Sequence, residues 1–290
     1  MVVELIYFNM SVEYCNGEES SMNSIVKNYY NDNAELEWNR LGNPYTNIEF
    51  RSSMYLIEKY FPETGYILDI GSGPGRYSLE LLKKGYKLSL LDISNNELDI
   101  ARDKIKEAGL SSEGYHCKSA LELDSFEDES FDGILLMGPL YHLHEEKDRM
   151  KVLKDTYRIL KKDGVGLISY INTWGALKAG VSEFPEIFEN IEYFQKYVNG
   201  DLKLSCLEGF TESYFTIPSL ALAEVKKAGF KIVSYAGVES FLSGLKAQIN
   251  ELYKNMPEVY ENFMASAVKC CEMPQYRDAT EHIHIIVKKR

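Results

Sequence analysis

The fold is decided by residues 66–76, which read Tyr66-Ile67-Leu68-Asp69-Ile70-Gly71-Ser72-Gly73-Pro74-Gly75-Arg76. The first part of this stretch is a short apolar run typical of a buried strand. A glycine-rich turn follows, and then a helical pattern from Arg76 to Lys84, which Gly85 closes. Glycine tolerates backbone conformations and close approaches that other residues do not, so the turn predicts backbone N–H groups open to a ligand. The alternative is a plain tight turn.

Strand and helix patterns alternate after this turn. A capping-box spacing at Ser94 to Glu97 begins a second helix, which ends at Gly109. Further strands are predicted over Leu88–Asp92, Gly114–Lys118, Phe131–Met137, Gly164–Asn172, Phe230–Tyr235 and His282–Lys288. Such alternation is typical of βαβ units and a parallel sheet with helices on both faces. The pattern therefore predicts a doubly wound α/β fold.

The same patterns divide the chain into five segments. Residues 1–22 carry little periodicity and are predicted to be mobile, and residues 23–65 form an N-terminal helical cap broken near Gly42 and Pro44. The alternating core occupies residues 66–172. Residues 173–216 are predicted to be a helical, aromatic lid insertion, and residues 217–290 complete the core sheet with helices.

Charge and hydropathy narrow the class of protein. The 290 residues include 44 acidic and 32 basic side chains, a formal net charge of −12, and basic residues occur only in short groups. This balance disfavours nucleic acid as a partner. No stretch approaches the roughly 20 apolar residues of a membrane span, and the first residues lack the basic region of a signal peptide. We expect a cytoplasmic protein with no membrane partner.

Two carboxylates distinguish the ligand of the glycine turn. Asp69 lies two residues before Gly71, where it would meet the ammonium of a methionine moiety and repel a pyrophosphate. Asp92 ends the second strand and is placed to accept hydrogen bonds from both ribose hydroxyls. Dinucleotide-binding folds use a related turn, so a nicotinamide dehydrogenase is the alternative that Asp69 disfavours.

Residues after the third and fourth strands complete this predicted site. Ser119 and Ala120 would face an adenine edge, and Met137 and Gly138 would line the space near a sulfonium. In this order, the positions are those that S-adenosylmethionine requires.

These residues resemble the class I, Rossmann-like, S-adenosylmethionine-dependent methyltransferases, in particular their small-molecule group. The resemblance rests on residues 67–76, 91–94, 130–134 leading to 141–142, and 158–164. It implies S-adenosylmethionine as the cofactor, a core of seven strands with the last antiparallel, and an N-terminal segment folded over the cofactor. The cofactor contacts that it implies are at Tyr30, Asp69, Gly71, Ser72, Gly73, Gly75, Asp92, Ile93, Ser119, Ala120, Met137 and Gly138.

The sequence departs from that family after the third strand, where many relatives carry an acidic residue and this chain has Ser119. A hydroxyl can still accept a hydrogen bond from the adenine amine, though more weakly than a carboxylate. We expect modest cofactor affinity.

Methyl transfer is an in-line displacement that chiefly needs alignment of donor and nucleophile. His142, just after the fourth strand, is the candidate general base, and Tyr141 is a candidate for orienting the substrate. Packing roles are the alternatives for both residues and for Tyr30. The predicted reaction is methylation of an oxygen, nitrogen or carbon atom of a small molecule.

Other functions and sites remain as alternatives. RNA or protein methylation and a non-catalytic, cofactor-binding regulatory role are the competing functions, and the oligomeric state is left open. His282 and His284 alternate on a predicted strand, but no third metal ligand is evident. Cys270-Cys271 is equally unconvincing as a metal site, so no metal is assigned.

Overall fold

The computed structural model describes residues 22–290, so the predicted mobile segment lies outside the described residues except for Met22. The chain begins there with helix α1 (Met22–Arg40), followed by α2 (Asn47–Tyr60). The interruption falls at Gly42 and Pro44, as predicted.

The described residues fall into two compact units. The first comprises residues up to 39, 64–161 and 203–214, and the second comprises 40–63, 162–202 and 215–290. Each unit contains its own strands and helices.

The first unit carries the alternating elements that follow the glycine turn. They are β1 (Tyr66–Ile70), α3 (Arg76–Lys83), β2 (Lys87–Asp92), α4 (Asn95–Glu107), β3 (Gly114–Cys117), β4 (Phe131–Leu136) and α5 (Glu146–Ile159). The observed bounds lie within one residue of the predicted strands. The apolar residues of β1, β2 and β4 are buried, as expected for strands covered on both faces.

Strand register in this unit brings the predicted site residues to one edge. β1 lies between β2 and β4, parallel to both, and Ile70 pairs with Leu91 on one side and Leu136 on the other. β3 runs parallel to β2, with Cys117 opposite Asp92. The carboxyl ends of these strands are therefore level, so the loops that follow them lie side by side.

The second unit combines parallel and antiparallel strands. It holds most or all of β5 (Leu160–Asn172), α6 (Thr173–Glu183), α7 (Ile191–Asn199), α8 (Pro218–Lys227), β8 (Lys231–Gly237), α9 (Lys246–Asn255), α10 (Pro257–Cys270), α11 (Pro274–Arg277) and β9 (His282–Lys288). The residues of the short strands β6 (Leu202–Leu204) and β7 (Ser213–Thr216) are divided between the two units. The closing strand β9 runs antiparallel to β5 and β8. The α/β fold, with about seven core strands and an antiparallel last strand, is thus confirmed.

The segment predicted as a purely helical lid also contains two short strands. Gly200, at φ 75°, follows α7, and Leu202 to Leu204 then alternate between buried and exposed positions. β7 pairs in parallel with the end of β5, where Ile171 lies opposite Phe215. Extended pairing therefore replaces helix here, because the sheet edge provides hydrogen-bond partners that local patterning does not reveal.

A helical cluster of the second unit supports α2. Ile48, Ile249 and Met264 are fully or almost fully buried in one apolar cluster with Tyr260 and Leu242. Among residues 22–290, no helix is long and apolar enough to cross a membrane.

Candidate functional site

The glycine turn after β1 needs glycine for space and for backbone handedness. Gly71 and Gly75 have φ of 77° and 80°. A Cβ on Gly71 would lie 2.4 Å from Cδ of Pro139, and one on Gly75 would lie 2.9 Å from Cβ of Ala101. The turn is therefore packed tightly against the loop after β4 and against α4.

The amides of this turn bind the protein itself. The N–H groups of Gly71 and Ser72 donate to the carbonyl of Leu91 at 2.8 and 3.1 Å, Gly73 N–H donates to Asp92 Oδ2 at 2.9 Å, and Gly75 N–H donates to the carbonyl of Ser72 at 3.1 Å. These four amides therefore have protein partners, and the role of the turn toward a ligand stays a prediction. Pro74 has no N–H at all, so the four N–H groups of residues 71–75 all donate to protein acceptors.

Asp69 and Asp92 are buried carboxylates beside this turn. Asp69 is 2% exposed and accepts a hydrogen bond from Ser78 Oγ at 2.7 Å. Burial, with a smaller contribution from the charge of Asp92, raises the pKa of Asp69 to about 7 although the Ser78 bond lowers it. Burial also raises the pKa of Asp92 to about 6, against hydrogen bonds from Ser94, Gly73 and Ile93 N–H groups. A cationic ligand would lower both pKa values.

A third carboxylate, Glu97, lies at the same turn. The sequence predicts it as the partner of Ser94 in a capping box, and Ser94 Oγ does accept from Glu97 N–H at 3.1 Å. The Ser94 N–H, however, donates to Asp92 Oδ1 at 2.8 Å. The buried Glu97 side chain lies against Gly73 instead, since a Cβ there would be 3.4 Å from Glu97 Oε2. Sequence reasoning missed this placement.

These observations test whether the turn fits S-adenosylmethionine. The four amides of the turn are bonded within the protein, and the three buried carboxylates beside it favour a cation over a phosphate. The acidic groups at this turn therefore fit the ammonium and sulfonium groups of S-adenosylmethionine and disfavour a dinucleotide.

The loop after β3 contains the predicted adenine contacts. Ser119 Oγ accepts a hydrogen bond from Leu121 N–H at 3.3 Å, and Ser119 N–H donates to Glu122 Oε2 at 3.0 Å. Ala120 is buried and Glu122 is exposed. The carboxylate of Glu122 thus lies at the turn where Ser119 replaces an acidic residue. The sequence signal for this carboxylate was the acidic residue three positions after Ser119.

The loop after β4 meets the glycine turn. Met137 N–H donates to the carbonyl of Ile70 at 3.3 Å. Gly138 has φ 134°, and a Cβ there would lie 3.7 Å from both the Gly71 carbonyl oxygen and the Tyr141 hydroxyl oxygen. The predicted residues Gly71, Gly138 and Tyr141 are therefore brought together.

His142 is buried, at 7% exposure, and both of its ring nitrogens have partners. Nε2 lies 2.8 Å from the Tyr30 hydroxyl, and Nδ1 lies 2.8 Å from the carbonyl oxygen of Glu212. Burial lowers the pKa of His142 to about 4, although the Glu212 bond raises it. The imidazole is neutral at pH 7, and it is a weak base.

Several contacts of its side chains hold helix α1 against these loops. Besides the Tyr30 bond, Asn31 Oδ1 accepts from Ser94 Oγ at 2.8 Å, and the Arg76 guanidinium lies 4.8 Å from the ring centre of Trp38. Ile93, next to Ser94, is half-buried, and its carbonyl accepts a weak bond from Cys117 Sγ at 3.7 Å. α1 therefore contacts the loops after β1, β2 and β4.

The histidines of β9 have separate partners within the second unit. His282 Nδ1 lies 2.7 Å from Glu239 Oε1, and His284 Nε2 lies 2.9 Å from Ser53 Oγ. Among residues 22–290, no group of three His, Cys, Asp or Glu side chains is arranged to hold a metal ion.

Comparisons with known proteins bear on the family and the fold of the chain. Residues 67–164 match the family model described as a methyltransferase domain. One relative is YqeM of Bacillus subtilis, which is named as a methyltransferase. It is 28% identical to this chain over 157 residues, and the match covers 52% of this chain and 61% of YqeM. The tRNA 5-carboxymethoxyuridine methyltransferase of Escherichia coli is 22% identical over 230 residues, 79% of this chain and 81% of that protein.

A solved structure has a similar fold. It is a SAM-dependent methyltransferase of Methanosarcina mazei, with a TM-score of 0.53 and 18% identity, and the match covers 81% of this chain and 96% of that one. The family match identifies a methyltransferase domain at residues 67–164, and the solved structure agrees with the predicted α/β fold. The chain spans about 61% of the length of YqeM.

Proposed function

We propose that this chain, which carries a class I methyltransferase domain, transfers the methyl group of S-adenosylmethionine to an oxygen, nitrogen or carbon atom of a small molecule. One observation carries the proposal. Three buried carboxylates, Asp69, Asp92 and Glu97, lie at the turn after β1, and Gly71, Ser72, Gly73 and Gly75 direct their amides to the protein. Such a set of groups suits a cationic methyl donor and not a phosphate.

Each of the loops that follow β1, β2 and β3 would hold one part of the cofactor. In this proposal Asp69 and the Gly71 carbonyl receive the ammonium, Asp92 and Ile93 lie at the ribose, and Ser119 with Ala120 lies at the adenine. When bound, the cofactor supplies a methyl group that its sulfonium activates toward nucleophiles.

The residues around the methyl position would act by alignment. Met137, Gly138 and Tyr141 line the space beside Gly71, and Tyr141 would orient the acceptor. We do not retain His142 as the general base, because its pKa of about 4 makes it a poor proton acceptor at pH 7. Positioning and exclusion of water are the contributions that we assign to this side of the site.

A small molecule is the acceptor that the charge favours. The net charge of −12 opposes association with a polyanion, although a tRNA methyltransferase is among the relatives. RNA or protein methylation and a non-catalytic regulatory role are the alternatives. A cytoplasmic location belongs to the same proposal, and cell fractionation checks it.

Calorimetry with S-adenosylmethionine, S-adenosylhomocysteine and NAD tests the cofactor assignment. We expect heat with both sulfur ligands and none with NAD. Asp92→Ala should weaken S-adenosylmethionine binding by roughly ten- to a hundredfold, because the carboxylate organises the turn and receives the ribose. Asp99→Ala is the matched control, since it removes an exposed carboxylate that pairs with Arg102 on α4. Absence of heat with either sulfur ligand would overturn the proposal.

Turnover needs a separate measurement. Cell extract incubated with the protein and methyl-labelled S-adenosylmethionine is divided into small-molecule, RNA and protein fractions. We expect label in the small-molecule fraction. Label in the RNA or protein fraction would show that the acceptor is RNA or protein instead of a small molecule. If the unmodified protein transfers no more label than Asp92→Ala does, the result would support the regulatory alternative.

A further inference from the structure

Helix α7 leaves one apolar side uncovered. Ile191, Phe194 and Val198 occupy positions i, i+3 and i+7, which lie on one side of a helix, and they are 68%, 38% and 39% exposed. Ile187, just before the helix, is 37% exposed. We call these four residues the α7 face. A single exposed apolar side chain is ordinary, whereas several that follow the helical period mark a surface that a partner can bury.

Other residues already attach α7 to the second unit. Tyr197 of α7 is buried, and the ring centre of Phe188 lies 5.1 Å from that of Tyr197 and 5.6 Å from that of Phe194. Gly180 of α6 makes room for Phe188, since a Cβ on Gly180 would lie 2.4 Å from Phe188 Cε2. The packing that holds α7 therefore leaves most of the α7 face outside it.

Three exposed carboxylates lie within two residues of Ile187 or Ile191, and they are Glu186, Glu189 and Glu192. Within the described residues 22–290, none of these three carboxylates forms an ion pair. Glu183, by contrast, pairs with Lys246, with 2.7 Å between Oε2 and Nζ. The basic residue of α7, Lys196, lies over the ring of Tyr193, 4.9 Å from its centre. The border of the α7 face is therefore negatively charged.

We propose that the α7 face binds a protein segment that folds as a basic amphipathic helix. The apolar stripe of that helix would cover the α7 face, and its lysine or arginine side chains would meet the three carboxylates. A second copy of this chain fits poorly, because a two-fold contact through this face would bring the carboxylates of both copies together. An anionic membrane surface is repelled for the same reason. The α7 face belongs to the second unit, and the inference does not depend on the proposed function.

A synthetic peptide supplies the chemistry of this partner. It has about 18 residues, with leucine at positions i, i+3, i+4 and i+7 of a helix and lysine on both sides of that stripe. Fluorescence anisotropy of the labelled peptide, titrated with the full chain, should show saturable binding that weakens about tenfold between roughly 50 and roughly 300 mM salt. A peptide with glutamate in place of lysine should bind at least about ten times more weakly.

Apolar substitutions locate the binding surface. Ile191→Ser removes the most exposed side chain of the α7 face and should weaken the lysine peptide about tenfold. Leu220→Ser removes a side chain of α8 that is 42% exposed, and it should leave the affinity unchanged. Thermal unfolding checks that both variants keep the fold.

Charge substitutions test the border of the face. A triple variant that replaces its carboxylates should weaken the lysine peptide about tenfold and remove most of the salt dependence, and it consists of Glu186→Gln, Glu189→Gln and Glu192→Gln. The control removes three exposed carboxylates on other helices and should weaken the peptide by about twofold at most, and it consists of Asp103→Asn, Glu251→Gln and Glu258→Gln.

The inference is overturned if the lysine peptide shows no saturable binding, if the glutamate peptide binds equally well, or if a variant and its control lose the same affinity. Sedimentation of the protein alone examines the second copy. A dimer that Ile191→Ser dissociates would assign the α7 face to self-association and overturn the proposed partner. Failure of the proposed function looks different, since the protein would then bind neither sulfur ligand while peptide binding would be unaffected.

Discussion

Binding of S-adenosylmethionine should weaken steeply as the pH falls below 7. The pKa of Asp69 is about 7, chiefly because the carboxyl is buried. In the proposed site this carboxyl must be ionised to receive the ammonium, so binding requires loss of its proton below that pH.

The size of the effect follows from the pKa. A carboxyl with a pKa of about 7 is ionised in about three of four molecules at pH 7.5 and in about one of thirty at pH 5.5. The dissociation constant should therefore rise roughly 25-fold between these values, or about 1.9 kcal/mol. Near pH 7, binding should release about half a proton, which calorimetry detects by comparing buffers of different ionisation enthalpy.

Two variants isolate Asp69. Asp69→Asn should bind weakly at every pH and lose the slope near pH 7, leaving only the weaker dependence near pH 6 that Asp92 contributes. Ser78→Ala removes the hydrogen bond that lowers the pKa of Asp69, so its binding curve should move to higher pH. Thermal unfolding at each pH separates loss of binding from loss of the fold. A dissociation constant that stays flat from pH 7.5 to 5.5, or an undiminished slope in Asp69→Asn, would refute the reasoning.

Two further predictions concern stability. Gly71→Ala should cost about 2–4 kcal/mol in urea unfolding, because φ is 77° and the Cβ would lie 2.4 Å from a proline ring carbon. Gly109→Ala, at φ 71° with nothing within 4 Å, should cost only about 1 kcal/mol, and equal losses would rule out the packing explanation. Burial lowers the pKa of His282, but the charges of Glu49 and Glu239 raise it to about 9. The stability from this group is complete below about 6.5 and is lost as the pH rises through 9, so His282→Gln should flatten thermal stability between pH 7 and 9.5, and an unaltered slope would contradict the pKa.

Local pattern was sufficient for most of the core. β1 and β9 were predicted to the residue, because apolar runs bounded by turn residues mark strands. The pattern did not predict β6 and β7, since such short strands depend on pairing partners elsewhere in the chain. Nor did it find the position of Glu97, because the same residue satisfies a helix-capping signal equally well.

The sequence by itself determined where the turn lies and that it needs glycine, because tight turns and helix starts are governed by the sterics of adjacent residues. It also placed Asp69 and Asp92 at strand ends. Only the tertiary structure decided what the turn presents to a ligand. Its amides bind Leu91 and Asp92 of the neighbouring strand, which depends on the register of β1 against β2. The partner of His142 Nδ1 is likewise the carbonyl of Glu212, which lies 70 residues away in the sequence. Hydrogen-bond partners are set by which segments fold together, and no local pattern encodes that choice.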